Sequence, residues 1–227
     1  MITVFYNNDT KETVHLSKAT VSGFSNLFAG DVTVTASYEG YSAELTVLIL
    51  AENPFKDVKA NEYYETPVLW AVTKEITKGT AEDTFSPNDE CTRGQIVTFL
   101  WRAAGEPAPK SAKNPFKDVK KSEYYYKAVL WAVENGITNG MDATHFAPDA
   151  SCTRGQVVTF LWRAAGEPAP KTAKNPFKDI KKSEYYYNAV LWAVENGITN
   201  GMTDTTFAPN STCTRGHIVT FLYRTYK

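Results

Sequence analysis

Apolar and polar residues alternate in the first part of the chain, and the pattern then changes to helical spacing. Within residues 1–50, the stretch VTVTASYEGYSAELTVLIL alternates and breaks at Glu39–Gly40, which predicts two strands joined by a turn. From Asn53 onward, runs such as AVLWAV have almost no polar face and predict short helices that are buried nearly all round. A second helix with one apolar stripe is predicted after each run. In its first occurrence the stripe comprises Ile96, Val97, Phe99, Leu100, Ala103 and Ala104.

Proline and glycine mark the expected ends of these helices. Proline is tolerated in the first helical turn but costs about 3 kcal/mol in a helix interior, so Pro67 predicts that the first helix begins near residue 67. By repetition, the later copies begin near residues 128 and 189. Gly136 and Gly197 stand where a left-handed C-terminal cap belongs. The first copy has Glu75 at this place, which predicts a less sharply defined helix end.

Three cysteines and three NPFKD segments both recur every 61 residues, which indicates three copies of one unit. The repeats are predicted at residues 53–110, 114–171 and 175–227, after a separate, incomplete β module at residues 1–50. Two helices with an apolar stripe cannot bury it alone, so the copies are expected to pack together as one mainly α domain. One aromatic side chain is expected to plug each interhelical loop into the core. These side chains are Phe85, Phe146 and Phe207.

The overall composition argues against two classes of partner. The 227 residues are 43% hydrophobic, enough for a core, and the formal net charge is −1. Nucleic-acid-binding surfaces carry an excess of Lys and Arg, so no nucleic-acid partner is expected. No apolar run approaches the roughly 20 residues of a membrane helix, so no membrane insertion is expected. An export signal and the exported cargo are expected upstream of residue 1.

Every cysteine directly precedes the tripeptide Thr-Arg-Gly. The threonine stands where a helix N-cap belongs, and Gln95 and Gln156 follow three residues later, which predicts the reciprocal capping box. The third copy has His217 at this position, which predicts a weaker box. The predicted N-caps are Thr92, Thr153 and Thr214.

The cysteines themselves are interpreted as small, buried and reduced side chains. Metal sites need clustered ligands such as CxxC, and single cysteines 61 residues apart do not supply them. The histidines, His15, His145 and His217, do not give each cysteine a base, which argues against a catalytic thiol. The sequence therefore predicts no enzyme activity, no metal site and no cofactor.

The arginine of the motif is not explained by the cap. Arg93, Arg154 and Arg215 lie in the first helical turn, where the helix dipole disfavours a cation by about 0.3–1 kcal/mol. A guanidinium beside free backbone N–H groups can bind a carboxylate or phosphate, which predicts an anion pocket. The alternative is an internal ion pair with an aspartate of the Phe-Lys-Asp segments, and spacing alone leaves both open. These aspartates are Asp57, Asp118 and Asp179.

Six elements recur in the same order in the three copies: Phe-x-Asp, Tyr-Tyr, a Trp-Ala helix, Gly-Ile-Thr-x-Gly, Phe-x-Pro and a Thr-Arg helix start, with Glu75 replacing one glycine in the first copy. In these elements the chain resembles the S-layer homology (SLH) domain from about Asn53 to its end. The stretch GFSNLFAGDVTVTASYEGYSAELTV is similar to the second half of a bacterial immunoglobulin-like domain.

The SLH resemblance implies a mainly α fold in which three helix-loop-helix copies form a pseudo-threefold prism with grooves between neighbours. It implies a monomer on the outside of the cell, in the cell wall or S-layer, that anchors an exported protein non-covalently. The implied ligand is a peptidoglycan-linked secondary cell wall polysaccharide, often pyruvylated. The family motif is Thr-Arg-Ala-Glu, so the polymer-binding role of its arginine falls on Arg93, Arg154 and Arg215. Gly94, Gly155 and Gly216 replace the alanine here.

Further candidates for glycan binding repeat with the motif. Loop glycines are expected to bring backbone N–H groups close to the ligand; they are Gly79, Gly140 and Gly201. Tryptophans are candidates to stack on sugar, with a place in the core as the alternative; they are Trp70, Trp131 and Trp192. Asp57, Asp118 and Asp179 are counted among the same candidates. The tyrosine pair of each copy is divided between packing and groove wall.

Two other functions are weighed against anchoring. In a structural assembly module, the repeats mediate protein contacts and the arginines only hold the fold together. A glycan-cleaving enzyme would need paired carboxylates in one cleft, and the repeated aspartates lack a partner acid.

Overall fold

The chain forms two compact units, Met1–Glu52 and Asn53–Lys227. The structure is a computed structural model and describes residues 2–5, 11–25, 29–111, 113–172 and 174–227. Among the helices in these ranges, none is long and apolar enough to cross a membrane.

The N-terminal unit consists of antiparallel strands. β1 (Ile2–Phe5) pairs with β2 (Lys11–Val14), and a second sheet has the order β3 (Thr20–Ser22), β4 (Gly30–Tyr38), β5 (Tyr41–Ile49). The predicted turn at Glu39–Gly40 is confirmed: both residues have positive φ, which matches the twist of the flanking strands. Val34 is the one buried residue among the described side chains of this unit. The similarity to an immunoglobulin-like domain stays a prediction.

Each repeat contains a short first helix and a longer second helix. The first helices are α1 (Glu65–Thr73), α3 (Tyr126–Glu134) and α5 (Tyr187–Glu195). The second helices are α2 (Arg93–Ala103), α4 (Arg154–Ala164) and α6 (Arg215–Tyr226). The first helices begin two residues earlier than predicted. Pro67 is the third helical residue, and it is tolerated there because the first four N–H groups of a helix have no intrahelical partner.

The first helices end in the same way in all three repeats. Gly136 and Gly197 have φ values of 68° and 67°, as predicted for left-handed caps, and Glu75 has a φ of 56°. The N–H of Ile76 donates to the carbonyl of Ala71 at 2.8 Å, as the corresponding residues of the other repeats do. The prediction of a less defined end at Glu75 is therefore wrong. Ile76 is only 1% exposed, and its burial holds the chain in this path despite the strain at Glu75.

Glu75→Gly is expected to raise the free energy of unfolding by about 0.5–1 kcal/mol. A left-handed conformation costs a non-glycine residue about 1–2 kcal/mol, and the larger chain entropy of unfolded glycine offsets part of the gain. Denaturant unfolding measures the change. The matched control, Gly136→Glu, should lower stability by a similar amount, and an unchanged midpoint in Glu75→Gly would contradict the assignment of strain.

The apolar stripes are buried between repeats, as the sequence predicted. α2 packs against α3, α4 against α5, and α6 against α1, so the second helix of each repeat covers the first helix of the next. The third repeat thereby closes on the first, and the three repeats form one closed ring of contacts. The predicted loop plugs are confirmed, since all three are 0% exposed: Phe85, Phe146 and Phe207.

Candidate functional site

Capped helix starts hold the repeated motif in place. The hydroxyl oxygen of Thr92 accepts from the N–H of Gln95 at 3.3 Å, and the Gln95 side-chain oxygen accepts from the N–H of Thr92 at 3.2 Å. The box is also formed in the third repeat, where Nδ1 of His217 replaces the glutamine oxygen as acceptor; its lower strength stays a prediction. The three boxes are Thr92 with Gln95, Thr153 with Gln156, and Thr214 with His217.

The cysteines join the three repeats through their backbone. The N–H of Cys91 donates to the carbonyl of Cys213, that of Cys152 to Cys91, and that of Cys213 to Cys152, each at 2.9 Å. All three are free thiols and 0% exposed. Burial raises the pKa of the Cys152 thiol, and raises the pKa of Cys91 and Cys213 to about 12. The reactive thiolate is therefore not populated at neutral pH, which agrees with the structural role predicted for these residues.

Each motif arginine reaches from its own repeat into the next one. The side chains are only 2–3% exposed, and each guanidinium carbon lies 4.7–4.8 Å from the centre of the phenylalanine ring that plugs the neighbouring loop. Burial lowers the pKa of all three guanidinium groups, which stay charged. Nε donates to a carbonyl oxygen in each case: Arg93 to Phe146 at 2.9 Å, Arg154 to Phe207 at 2.8 Å, and Arg215 to Phe85 at 2.8 Å.

These buried cations are incompletely paired. Within the described ranges, Nη2 of Arg93 and Nη2 of Arg215 have no hydrogen-bond partner. Nη2 of Arg154 makes only a long contact, 3.4 Å, to the hydroxyl of Thr199. A buried polar group without a partner costs about 1–3 kcal/mol, and more when it is charged. These N–H groups are therefore the atoms at which an anionic ligand would gain most.

The aspartates hold the loops and do not pair with the arginines. The two carboxylate oxygens of Asp118 accept from the N–H groups of Phe146 and Ala147 at 2.9 and 2.7 Å. The ion-pair alternative is therefore wrong. Backbone N–H groups of the same repeat account for the position of these carboxylates, and their assignment as glycan ligands stays a prediction. The same bonds recur from Asp57 to Phe85 and Ser86, and from Asp179 to Phe207 and Ala208.

The loop glycines are required by the backbone. All three have a φ of 86°, and a Cβ on Gly140 would lie 2.4 Å from Cε1 of Phe116. Their N–H groups donate to a threonine hydroxyl two residues earlier, so the prediction that these amides are available to a ligand is wrong. The bonds are Gly79 to Thr77 at 3.1 Å, Gly140 to Thr138 at 3.1 Å, and Gly201 to Thr199 at 3.3 Å.

The tryptophans belong to the core. Trp70, Trp131 and Trp192 are 5%, 9% and 7% exposed, and the Trp70 ring packs edge-on against Tyr223. A buried indole face is not accessible to a sugar ring. The stacking prediction is wrong for all three, and the core alternative is confirmed.

Two grooves lie where repeats meet, and each is lined by one motif arginine. Groove A has a volume of about 300 Å³ and contains Arg93 of the first repeat, the loop and second helix of the second repeat, and Tyr185 of the third. Groove B, about 280 Å³, is the same arrangement one repeat later and contains Arg154, third-repeat residues and Tyr63 of the first repeat. In each pair the first tyrosine is exposed (Tyr63, Tyr124 and Tyr185) and the second is buried (Tyr64, Tyr125 and Tyr186). The tyrosine pairs thus divide between packing and groove wall, as predicted.

A second arginine, not predicted from the sequence, lines each groove. Arg163 lines groove A and Arg224 lines groove B, both from the last turns of the second helices. Nη1 of Arg163 donates to the carbonyl of Ile137 at 3.3 Å, and Nε lies 3.6 Å from the carboxylate of Glu167. The available signal was the recurrence of this arginine every 61 residues, but a cation near a helix C-terminus is common for reasons of the dipole alone. Each groove thus has two guanidinium groups, and no carboxylate occurs among its described lining residues.

The chain is similar in sequence to parts of several longer bacterial proteins. The chain is 26% identical over 197 residues to a cell surface protein of Thermoanaerobacter kivui, covering 85% of this chain and 24% of that protein. It is 36% identical over 118 residues to an endoglucanase of a Bacillus species, covering 52% of this chain and 12% of the enzyme. It is 26% identical over 154 residues to a cellulosome-anchoring protein of Acetivibrio thermocellus, covering 65% of this chain and 34% of that protein. The matched parts thus span between 12% and 34% of the length of these relatives.

The family assignment rests on the repeats themselves. The sequence profile of the S-layer homology domain matches residues 54–97, 115–158 and 176–218, which together make up more than half of the chain. Each match contains the loop, both helices in whole or in part, and the capped arginine described above. The chain belongs to the S-layer homology domain family.

Proposed function

We propose that the three repeats anchor an exported protein at the bacterial cell surface by binding an acidic secondary cell wall polysaccharide in the grooves between repeats. The observation that carries this proposal is the guanidinium of Arg93, which lines groove A, is 2% exposed, and has an Nη2 without a hydrogen-bond partner. A buried, incompletely paired cation at the wall of a groove is a receptor for a negatively charged group.

A carboxylate carried on a sugar fits this receptor. The guanidinium presents its N–H groups as a planar fork that matches a carboxylate, and the second arginine of the groove adds charge of the same sign. The exposed ring of Tyr185 offers a flat apolar face beside the charge, on which a sugar ring can pack. A pyruvyl ketal combines both features, since it attaches a carboxylate rigidly to a pyranose. Our proposed ligand is therefore a pyruvylated, peptidoglycan-linked polymer.

The names of the relatives support anchoring at the surface. A cell surface protein, a cellulosome-anchoring protein and an endoglucanase differ in what the whole protein does but each shares similarity with this chain. We therefore assign the shared part to attachment rather than to catalysis, and place the protein in the cell wall or S-layer as a monomer. We also take the closed ring of contacts as the pseudo-threefold prism implied by the family, and residues 1–50 as part of an immunoglobulin-like module.

A second candidate is a structural assembly module. It is favoured by the Nε bonds of the three arginines, which tie each repeat to the next and would exist without any ligand. In this case the grooves would be by-products of packing, and the chain would self-associate or bind a protein without affinity for acidic sugar.

Two ketals that differ by one group distinguish these functions. The ¹⁵N-labelled chain is titrated with the methyl glycoside of a pyruvylated hexose, and separately with its isopropylidene ketal, in which a methyl group replaces the carboxylate. The amide signals of Gly140 and Gly201 report grooves A and B. Saturable shifts are expected with the pyruvyl ketal, and binding at least about tenfold weaker with the uncharged ketal, because a hydrogen bond to a charged group contributes about 1.5–3 kcal/mol. Equal binding of the two, or none of either, would refute the proposal.

A further inference from the structure

We propose that His217 is a specificity-determining residue of groove B: it makes binding of an acidic sugar there proton-coupled, whereas groove A binds the same ligand independently of pH. This inference rests on the proposed function of the grooves. It concerns a difference between them, because the position occupied by His217 is a glutamine in the other two repeats, Gln95 and Gln156.

At neutral pH the histidine reproduces the hydrogen bonds of the glutamine. In groove A, the Gln156 side-chain oxygen accepts from the N–H of Thr153, while its amide nitrogen lies 3.8 Å from the sulfur of Met141 in the groove. In groove B, Nδ1 of His217 accepts from the N–H of Thr214 at 3.3 Å and lies 3.1 Å from the hydroxyl oxygen of Thr214. The neutral ring then carries its proton on Nε2. Both side chains thus combine an acceptor for the N-cap with N–H donors beyond it, two in glutamine and one in histidine.

Protonation changes this equivalence. A proton on Nδ1 could be donated to the Thr214 hydroxyl, but it would also face the N–H of Thr214 and remove the return bond of the capping box. Glutamine has no corresponding change of protonation state. The imidazolium would also add a positive charge to a groove that already contains Arg154 and Arg224. In the free protein both effects oppose protonation. A bound carboxylate offsets the repulsion between the imidazolium and the two arginines, because the carboxylate would contact all three cations.

His217 is the group of groove B that changes charge near neutral pH, because its ionisable neighbours do not. Its ring stacks on Tyr63, with centroids 5.7 Å apart and planes at 27°. Burial raises the pKa of Tyr63 and of Cys213, hydrogen bonds from Ser151 and Thr212 lower the pKa of Glu90, and Arg154 stays charged. Among side chains with ordinary pKa values, only histidine changes charge between about pH 5 and 8. Tyr63, Arg154 and Arg224 line groove B together with His217. The next titratable groups act on its neighbours: Glu62 and Cys213 on Tyr63, and Glu90 through its backbone bridge to Thr214.

The direction of the effect follows from linkage. Burial first, and the charge of Arg154 second, lower the pKa of His217 from 6.5 in the free protein. The stability contributed by the neutral ring is therefore present above about pH 6.5 and is lost as the pH falls through the lowered pKa. An anion in groove B raises this pKa, so binding takes up a proton and the affinity increases with acidity. Each unit by which the bound anion raises the pKa of His217 corresponds to about a tenfold gain in affinity for the anion.

The test compares the two grooves in one molecule. A second histidine, His145, lies in the second-repeat loop just after the residues that line groove A, with Nδ1 3.1 Å from a carboxylate oxygen of Asp142. The experiment therefore uses the His145→Thr background, which introduces the residue type of the equivalent position, Thr206. The pyruvyl ketal is titrated at about pH 7.5 and about pH 5.5, and the dissociation constant is read from the amides of Gly140 and Gly201. We expect roughly a three- to tenfold tighter constant at Gly201 at the lower pH, and less than about a twofold change at Gly140.

Two reciprocal variants complete the design. His217→Gln gives groove B the residue found in the other repeats and should abolish its pH dependence, while Gln156→His should transfer the dependence to Gly140. A pH-independent constant at Gly201, or a dependence that survives in His217→Gln, overturns the inference while the proposed function stands. Absence of ketal binding in both grooves at both pH values overturns the proposed function, and the inference with it.

Discussion

Replacing Arg93 with glutamine is expected to abolish measurable binding of a pyruvylated sugar in groove A and to leave binding in groove B unchanged. Glutamine keeps a polar group near the carbonyl of Phe146, but it has no charge and lacks the planar pair of guanidinium N–H groups that matches a carboxylate. Hydrogen bonds to a charged group contribute about 1.5–3 kcal/mol each, so losing two of them weakens binding roughly 100-fold or more. The measurement is the ketal titration, read at Gly140 for groove A and at Gly201 for groove B.

A second variant separates charge from geometry. Arg93→Lys keeps the charge but replaces the planar fork with a single ammonium group, so an intermediate loss of about tenfold is expected. The thermal midpoint of each variant is the control for stability. Removing a desolvated charge raises the stability of the fold, whereas losing the Nε hydrogen bond lowers it, so the midpoint has to be measured. A fall in thermal midpoint without any loss of ketal binding would favour the assembly module, in which Arg93 only ties the first repeat to the second.

Phe146→Ala is expected to destabilise the unit Asn53–Lys227 by about 3–5 kcal/mol, the usual cost of deleting a fully buried aromatic side chain. Phe146 is 0% exposed, packs against Phe116 with ring centroids 5.7 Å apart, and lies under the guanidinium of Arg93. At about 2–4 °C per kcal/mol for a unit of this size, the thermal midpoint should fall by roughly 6–20 °C. Groove A should be lost as well, because the Phe146 ring holds the loop in which the carbonyl of residue 146 positions Nε of Arg93.

The matched control is the same deletion at an exposed site. Phe24 of the N-terminal unit is 61% exposed, so Phe24→Ala should leave the transition of Asn53–Lys227 unchanged. Calorimetry of both variants, followed by the ketal titration of each below its transition, tests the two parts of the prediction. A midpoint within about 2 °C of the parent for Phe146→Ala would mean that the loop does not depend on its plug.

Several features of this protein were encoded within a few residues and were therefore predictable. A proline or glycine marks a helix end through its own backbone preferences, and a capping box joins residues only three positions apart. The burial of Phe146 follows from the same kind of local pattern, since it is the one aromatic side chain in a polar loop. Glu75 shows the limit of this reasoning: burial of Ile76 imposed a left-handed conformation that the local preference opposes.

The sequence by itself determined the repeats, their helices, the capped starts and the buried cysteines, because each depends on periodicity or on neighbours along the chain. Only the tertiary structure decided what the arginines do, since Arg93 meets its carbonyl partner 53 residues away and Arg215 meets its partner 130 residues away. It also placed the tryptophans in the core, gave the aspartates to the loops, and brought Arg163 and Tyr185 into groove A. Spacing along a chain limits which residues can meet, but the packing of one repeat on the next determines which of them do.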